Sequence, residues 1–73
     1  MKPSKGRVIL FVSYESAKCV GIITRVWSDT CVNVAGWDEG NTPVALTSLT
    51  YLESGAEAAP MAGTWSWPPR VGP

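Results

Sequence analysis

The sequence contains no histidine, and only two of its 73 residues are cysteines. The missing histidine excludes the ordinary Ser-His-Asp and Cys-His catalytic arrangements. Two cysteines without histidine also exclude a standard four-ligand zinc site. Neither a P-loop nor a G-x-G-x-x-G motif is present. We therefore expect a protein that is not an enzyme and that uses no cofactor.

Long apolar segments are also missing. The apolar run at residues 8–12 is shorter than the core of a signal peptide, which spans about 7–15 residues. It is far shorter than the ~20 residues of a membrane-spanning helix. We expect no membrane association and a cytoplasmic location. In a reducing compartment, Cys19 and Cys31 are expected as thiols, although the sequence leaves their pairing open.

The small size of the chain makes its stability marginal. A domain of this length buries only about 60% of the surface that its unfolded chain exposes. Small domains usually gain stability from disulfides, a metal or oligomerisation. Since the first two are disfavoured here, we expect a homo-oligomer.

What the sequence does contain is typical of β-structure. β-Branched and aromatic residues dominate, and clusters of turn-forming residues recur every 8–12 residues or so, as in small barrels and sandwiches. We predict one domain over residues 1–73 that is all-β, an SH3-like or partly open β-barrel with a short C-terminal strand. The predicted strands are 7–14, 19–27, 31–37, 44–52 and 64–67. The D-E-G-N sequence at 38–41 predicts the turn between the third and fourth strands, because Gly40 and Asn41 can adopt a positive φ. Residues 1–5 are expected to be a flexible N-terminus, 53–63 a linker, and 64–73 a tail rich in tryptophan and proline.

Both faces of the first predicted strand are apolar. Val8, Leu10 and Val12 alternate with Ile9 and Phe11. A strand of this kind has to be covered on both sides, so we expect the barrel interior on one side and a partner chain on the other.

The tail places Trp65 and Trp67 two residues apart, so on a strand they share one face. They either close one end of the barrel and complete its core, or form an aromatic platform for a flat ligand. The linker is long enough for the tail to pack on its own chain or on a neighbouring subunit. Arg70 follows two prolines, and it is either a solvated end or an anion contact on a stiff arm.

Charge is unevenly distributed although the net charge is zero. All basic residues except Arg70 lie within residues 1–27, where Glu15 is the only acidic residue. Arginine binds phosphate through paired hydrogen bonds, and stacking of a base on an aromatic ring contributes about 1–3 kcal/mol. This pattern favours a small, flat, anionic ligand, while the neutral total charge disfavours extended nucleic acid.

The alternative is that the tryptophans are core residues and the basic residues are scattered. The candidate ligand-binding residues are Lys5, Arg7, Ser13, Arg25, Thr64, Trp65, Trp67 and Arg70, with Trp27 and Trp37 as further stacking rings.

Three segments carry a resemblance to a known set of proteins. They are Gly6 to Ile9 before the first strand, Ile22 to Trp27 with Val32 and Asn33, and the C-terminal G-T-W-x-W-P pattern of Gly63 to Pro68. The chain resembles small phage and prophage proteins of undescribed activity, over most of residues 6–70. Many of those proteins have histidine between the two tryptophans, where this chain has Ser66.

The resemblance implies a phage origin, a small barrel and a location in the host cytoplasm. By analogy, it implies a homo-oligomer that sequesters a small anionic ligand, such as a nucleotide immune signal, and so acts as an anti-defence sponge. In that role Arg7, Arg25 and Arg70 would contact phosphates, and Trp65 or Trp67 would stack on a base. The alternatives are a virion or tail-assembly component and an SH3-like protein-interaction module.

Overall fold

A computed structural model describes residues 2–52 and 61–68. These residues form five β-strands, in agreement with the predicted number. The strands are β1 (Val8–Val12), β2 (Lys18–Val26), β3 (Cys31–Asp38), β4 (Pro43–Tyr51) and β5 (Thr64–Ser66).

The strands close into one small barrel. From β1 to β4, each strand pairs antiparallel with the next one along the chain. The short β5 lies between the first and the fourth strands, antiparallel to β1 and parallel to β4. The predicted SH3-like barrel with a short last strand is therefore confirmed, and the barrel is closed.

The strand ends differ from the prediction by one or two residues, for local reasons. β1 stops at Val12 because the N–H of Ser13 donates to the carbonyl of Ala17 and begins a turn. β4 begins at Pro43, one residue earlier than predicted. Proline has no N–H to donate to the ladder. It is therefore tolerated where that donor is not needed, such as the first residue of a strand.

The turn between β3 and β4 is built around an aspartate. One carboxylate oxygen of Asp38 accepts hydrogen bonds from the N–H groups of Gly40 (2.9 Å) and Thr42 (3.0 Å). Asn41 has a φ of 63°, in the left-handed region that asparagine tolerates better than most residues. This turn was predicted from the D-E-G-N sequence, and its side-chain bonds set the β3–β4 register.

The core is formed by alternate residues of the strands. Ile9 and Phe11 point inward from β1, whereas Val8 is 56% exposed. The predicted alternation holds from Val8 to Phe11 but fails at Val12, which was predicted on the outer side and is buried as well. The fully buried apolar side chains around these two are Val12, Ile23, Val32, Val34, Leu49 and Trp65.

The glycine of the G-T-W motif has a structural role. Gly63 has a φ of 78°, and a Cβ there would meet the Tyr14 ring at 2.7 Å. Its N–H donates to the carbonyl of Val12, and its carbonyl accepts from the N–H of Thr50. Gly63 therefore turns the chain into β5 and fixes the position of Trp65 between β1 and β4.

The two cysteines are free thiols. Cys19 pairs with Asp38 in the β2–β3 ladder, whereas Cys31 lies at the other end of β3, opposite Thr50. Their positions at opposite ends of β3 are incompatible with the 4.4–6.8 Å or so between Cα atoms that a disulfide needs. Burial of the Cys19 thiol, and next the Asp38 carboxylate, raise the pKa of Cys19.

Some predictions concern residues that the structure does not describe. They concern most of the predicted linker, residues 53–60, and the end of the tail, residues 69–73 with Arg70. The flexible N-terminus stays a prediction, although Pro3 is buried and the N–H of Gly6 donates to the carbonyl of Ile23 at 2.7 Å. No helix in the described part of the chain is long and apolar enough to cross a membrane.

Candidate functional site

The structure brings two predicted site residues, Arg7 and Trp67, together. The guanidinium carbon of Arg7 lies 5.5 Å from the centre of the Trp67 ring, within the range of a cation–π interaction. Arg7 immediately precedes β1 and is exposed, while Trp67 immediately follows β5 and is half-buried. Because β1 and β5 are antiparallel, the start of one strand lies beside the end of the other.

A second arginine–tryptophan pair lies at the end of β2. The guanidinium carbon of Arg25 is 4.0 Å from the centre of the Trp27 ring. Trp27 is 53% exposed, and its indole N–H donates to the side-chain oxygen of Asn33 at 2.7 Å. The same Asn33 oxygen accepts from the N–H of Ser48 at 2.9 Å. Asn33 thereby holds the Trp27 ring against both β3 and β4.

Both pairs lie at one end of the barrel. The N–H of Ile23 in β2 donates to the carbonyl of Arg7, which places the start of β1 beside the end of β2. Lys5 belongs to the turn that precedes Arg7, and it is exposed. We call this end, with Lys5, Arg7, Arg25, Trp27 and Trp67, the basic aromatic end.

Trp65 is a core residue. Its side chain is 1% exposed, and its indole N–H donates to the carbonyl of Thr30 at 3.0 Å. The Trp65 ring centre lies 5.0 Å from that of Tyr51 and 5.2 Å from that of Trp67. This position corresponds to the expectation that the tail completes the core, and such burial leaves the Trp65 ring without an exposed face for a ligand.

A small cavity adjoins these rings. It has a volume of about 150 Å³ and is lined by Asp29, Tyr51, Trp65 and Trp67. The carboxylate of Asp29 makes this cavity itself unfavourable for an anion. An anionic ligand at this end would therefore contact the arginines on the rim and not enter the cavity.

Ser13 and Thr64 are not part of the basic aromatic end. They lie at the other end of β1 and β5, and both are buried. The Ser13 hydroxyl accepts from the N–H of Ala17 at 3.1 Å, and the Thr64 hydroxyl donates to the carbonyl of Met61 at 2.6 Å. Both hydroxyls stabilise turns, so their burial and distance separate them from the predicted phosphate contacts of Arg7 and Arg25.

A second surface lies on the outer side of the barrel, where a partner chain was expected over β1 alone. The outward side chains of four strands form two rows across the barrel, which we call the apolar outer face. None of its members is charged, and its register follows from the strand pairing. The first row is Val8, Ile22, Ala35 and Ala45, and the second is Leu10, Val20, Trp37 and Pro43.

Trp37 is the most prominent residue of the apolar outer face, with 52% of its surface exposed. On one side of Trp37 is an apolar depression of about 330 Å³ that Ala35, Gly36 and Ala45 help to line. On its other side is a depression of about 170 Å³ that includes Lys18, Asp38 and Glu39. Trp37 thus stands apart from the basic aromatic end and between an apolar and a charged region.

From the sequence, Trp37 was predicted only as a stacking ring and Asn33 was named only as part of the resemblance, while Asp29 was given no role. Alternation signals the outer face, because Val20, Ile22, Ala35 and Trp37 share the parity opposite to the core residues. Nothing in the sequence reveals that Asn33 bonds to both Trp27 and Ser48.

Within the described residues, no three potential metal ligands lie together. Comparison with protein-family models, with curated proteins and with solved structures gave no match.

Proposed function

We propose that this chain is a non-enzymatic, homo-oligomeric binding protein for a small anionic ligand that carries a flat ring, such as a nucleotide. The observation that supports the proposal most is the basic aromatic end, where two arginines stack on two tryptophans. The resemblance to phage proteins supports a sequestering role in a host cell, in which the ligand would be a nucleotide signal of host defence.

The chemistry of the basic aromatic end suits phosphate recognition. A guanidinium that lies over an indole ring has its N–H donors in the plane of the guanidinium, where they reach phosphate oxygens. The Arg25 side chain is exposed, and Arg25 is the second-to-last residue of β2, directly before the segment that Asn33 braces through Trp27. Since less side-chain entropy is lost when a braced arginine binds, it is a better phosphate contact than a loose lysine.

Binding of defined nucleotides to purified protein tests the proposal. We would titrate ADP-ribose and cyclic di-GMP by calorimetry, with inorganic phosphate as a probe for the anion alone. Arg25→Ala should raise Kd by about tenfold or more, the effect of losing one charge-assisted hydrogen bond of about 1.5–3 kcal/mol. Lys18→Ala is the matched control, because Lys18 is exposed and opposite Val12 at the far end of the barrel.

Either of two results would overturn the proposal. One is that neither nucleotide binds to the wild-type protein. The other is that Lys18→Ala weakens binding as strongly as Arg25→Ala, since the basic aromatic end would then have no special part.

A second candidate function is that of an SH3-like protein-interaction module. The apolar outer face favours it, because an exposed and uncharged surface that spans four strands is typical of protein interfaces. Photo-crosslinking from position 37, with position 27 as the control, tests this function. Adducts with proteins other than this chain are expected from position 37 alone. Adducts only between copies of this chain, or equal adducts from both positions, would contradict this function.

A further inference from the structure

We propose that the apolar outer face is the surface through which two copies of this chain associate, related by a two-fold axis that passes beside Trp37. The inference deepens the homo-oligomer of the proposed function and names its interface. It does not depend on which ligand is bound. Four features of the molecule support a second copy as the partner.

The first feature is the balance between core and surface. Val8, Val20, Ile22 and Trp37 are each between 43% and 56% exposed, although they are as apolar as the core residues of the same strands. The cysteines are free, and the described residues hold no metal-ligand cluster. A domain of this size without a disulfide or a structural metal usually gains stability from oligomerisation, which favours a second copy of the chain as the partner.

The second feature is shape. A two-fold axis brings the same surface patch of both subunits together, so every projection must meet a depression on the same patch. The outer face has both, because the exposed Trp37 ring stands directly beside the apolar depression that Ala35 and Ala45 help to line. The ring of each subunit can therefore enter the depression of the other, and both insertions occur at once.

The third feature is the charge at the rim. Lys18, Asp38 and Glu39 border the second depression, beyond Trp37. A rim of one sign would repel a second copy across a two-fold axis, whereas a rim with both signs places opposite charges within reach. The uncharged centre needs no charged partner group, and an apolar centre with a charged rim is the usual anatomy of an interface.

The fourth feature is area. With about half of each exposed side chain accessible, the face measures roughly 500 Å², near the upper end of the 300–600 Å² or so of the largest apolar patch on a monomer. With the rim, the buried area would reach the lower end of specific interfaces, about 600 Å² per subunit. A reversible dimer is therefore expected, with a mass that rises with protein concentration.

Sedimentation velocity of the full chain over a wide concentration range tests the inference. The wild type should shift from monomer to dimer, and Trp37→Glu should raise the dimer Kd by about 30-fold or more, the effect of losing an interface hot spot. Trp27→Glu is the matched control, because Trp27 is as exposed as Trp37 (53% against 52%) but lies at the basic aromatic end. It should leave the dimer Kd nearly unchanged.

Val20→Thr provides a second variant if Trp37→Glu does not fold. Threonine is similar in shape to valine and suits a strand, so the barrel should persist while the dimer Kd rises several-fold. A wild-type protein that stays monomeric into the millimolar range would overturn the inference. So would a dimer that Trp27→Glu disrupts and Trp37→Glu does not.

The ligand titration separates this inference from the proposed function. A dimer that Trp37→Glu disrupts, in a protein that binds neither nucleotide, would leave the interface standing and remove the ligand. Nucleotide binding by a protein that is monomeric at every concentration would do the reverse.

Discussion

Gly21 lies directly opposite Gly36 across the β2–β3 ladder, and the two backbones approach too closely for any side chain between them. A Cβ on Gly21 would overlap the carbonyl oxygen of Ala35, and a Cβ on Gly36 would overlap that of Val20. This glycine pair lies between the outward rows of the apolar outer face. The close approach therefore shapes both the interior of the barrel and the depression beside Trp37.

Replacing Gly36 by alanine should destabilise the barrel. The added methyl group meets backbone atoms that cannot move without shifting a strand, so we expect the free energy of unfolding to fall by about 1–3 kcal/mol, as for an overpacked core. Urea denaturation followed by fluorescence measures the change. Gly40→Ala is the control, because a Cβ there meets only the Asp38 carboxylate, at 3.4 Å. Equal stability of the two variants would contradict the close approach.

Trp65 should contribute far more stability than the other tryptophan of the tail. Trp65→Phe removes the hydrogen bond to the carbonyl of Thr30 and leaves space in the core. We expect a loss of about 2–4 kcal/mol, below the 3–5 kcal/mol or so that truncation of a buried aromatic to alanine costs. Trp67→Phe should cost less, because Trp67 is half-buried. A larger loss at Trp67 would show that the tail packs differently.

The two thiols should differ in reactivity. Burial and the Asp38 carboxylate raise the pKa of Cys19. At a given pH, the reactive thiolate fraction of Cys19 is therefore smaller than that of an ordinary exposed cysteine. Cys31 is only half-buried. Alkylation with iodoacetamide at neutral pH, followed by mass spectrometry, should therefore modify Cys31 first. The rate at Cys19 should rise as the pH is raised, and faster labelling of Cys19 at neutral pH would contradict its burial.

The fold was predictable from the sequence because local signals agreed. Alternation in β1 identified Ile9 and Phe11 as one face, and the D-E-G-N turn fixed the β3–β4 connection. The role of Trp65 stayed open, because a pair of tryptophans two residues apart is equally compatible with a core and a platform. Only the pairing of β5 with both β1 and β4 places Trp65 inside.

The candidate site was less predictable than the fold. Arg7 and Trp67 are far apart in sequence, and they meet only because β5 closes the barrel against β1. Ser13 and Thr64 were predicted as ligand-binding residues from residue type alone, but turn geometry determines their hydrogen-bond partners. The apolar outer face was foreseen only in β1, because its rows are continuous across strands and not along the sequence.

Asn33 should act as a positioning residue for the basic aromatic end. Its side-chain oxygen accepts from the indole N–H of Trp27 and from the N–H of Ser48, beside the irregular pairing of β3 with β4. Asn33→Ala removes both bonds, so the Trp27 ring that supports Arg25 is released. We expect the free energy of unfolding to fall by about 1–3 kcal/mol, the cost of unpaired polar groups, and nucleotide affinity to fall with it.

The conservative variant Asn33→Asp separates positioning from simple loss of stability. A carboxylate accepts the same two hydrogen bonds, so at neutral pH this variant should keep the Trp27 ring in place and retain stability. Its negative charge near Arg25 should still weaken the binding of an anionic nucleotide, and this loss relative to the wild type should shrink as the salt concentration is raised. The readouts are urea denaturation for stability and calorimetric titration of the nucleotide at low and high salt for affinity. If Asn33→Asp keeps stability but its loss of affinity relative to the wild type stays equally large at high salt, the amide contacts the ligand itself, and the positioning role would be wrong.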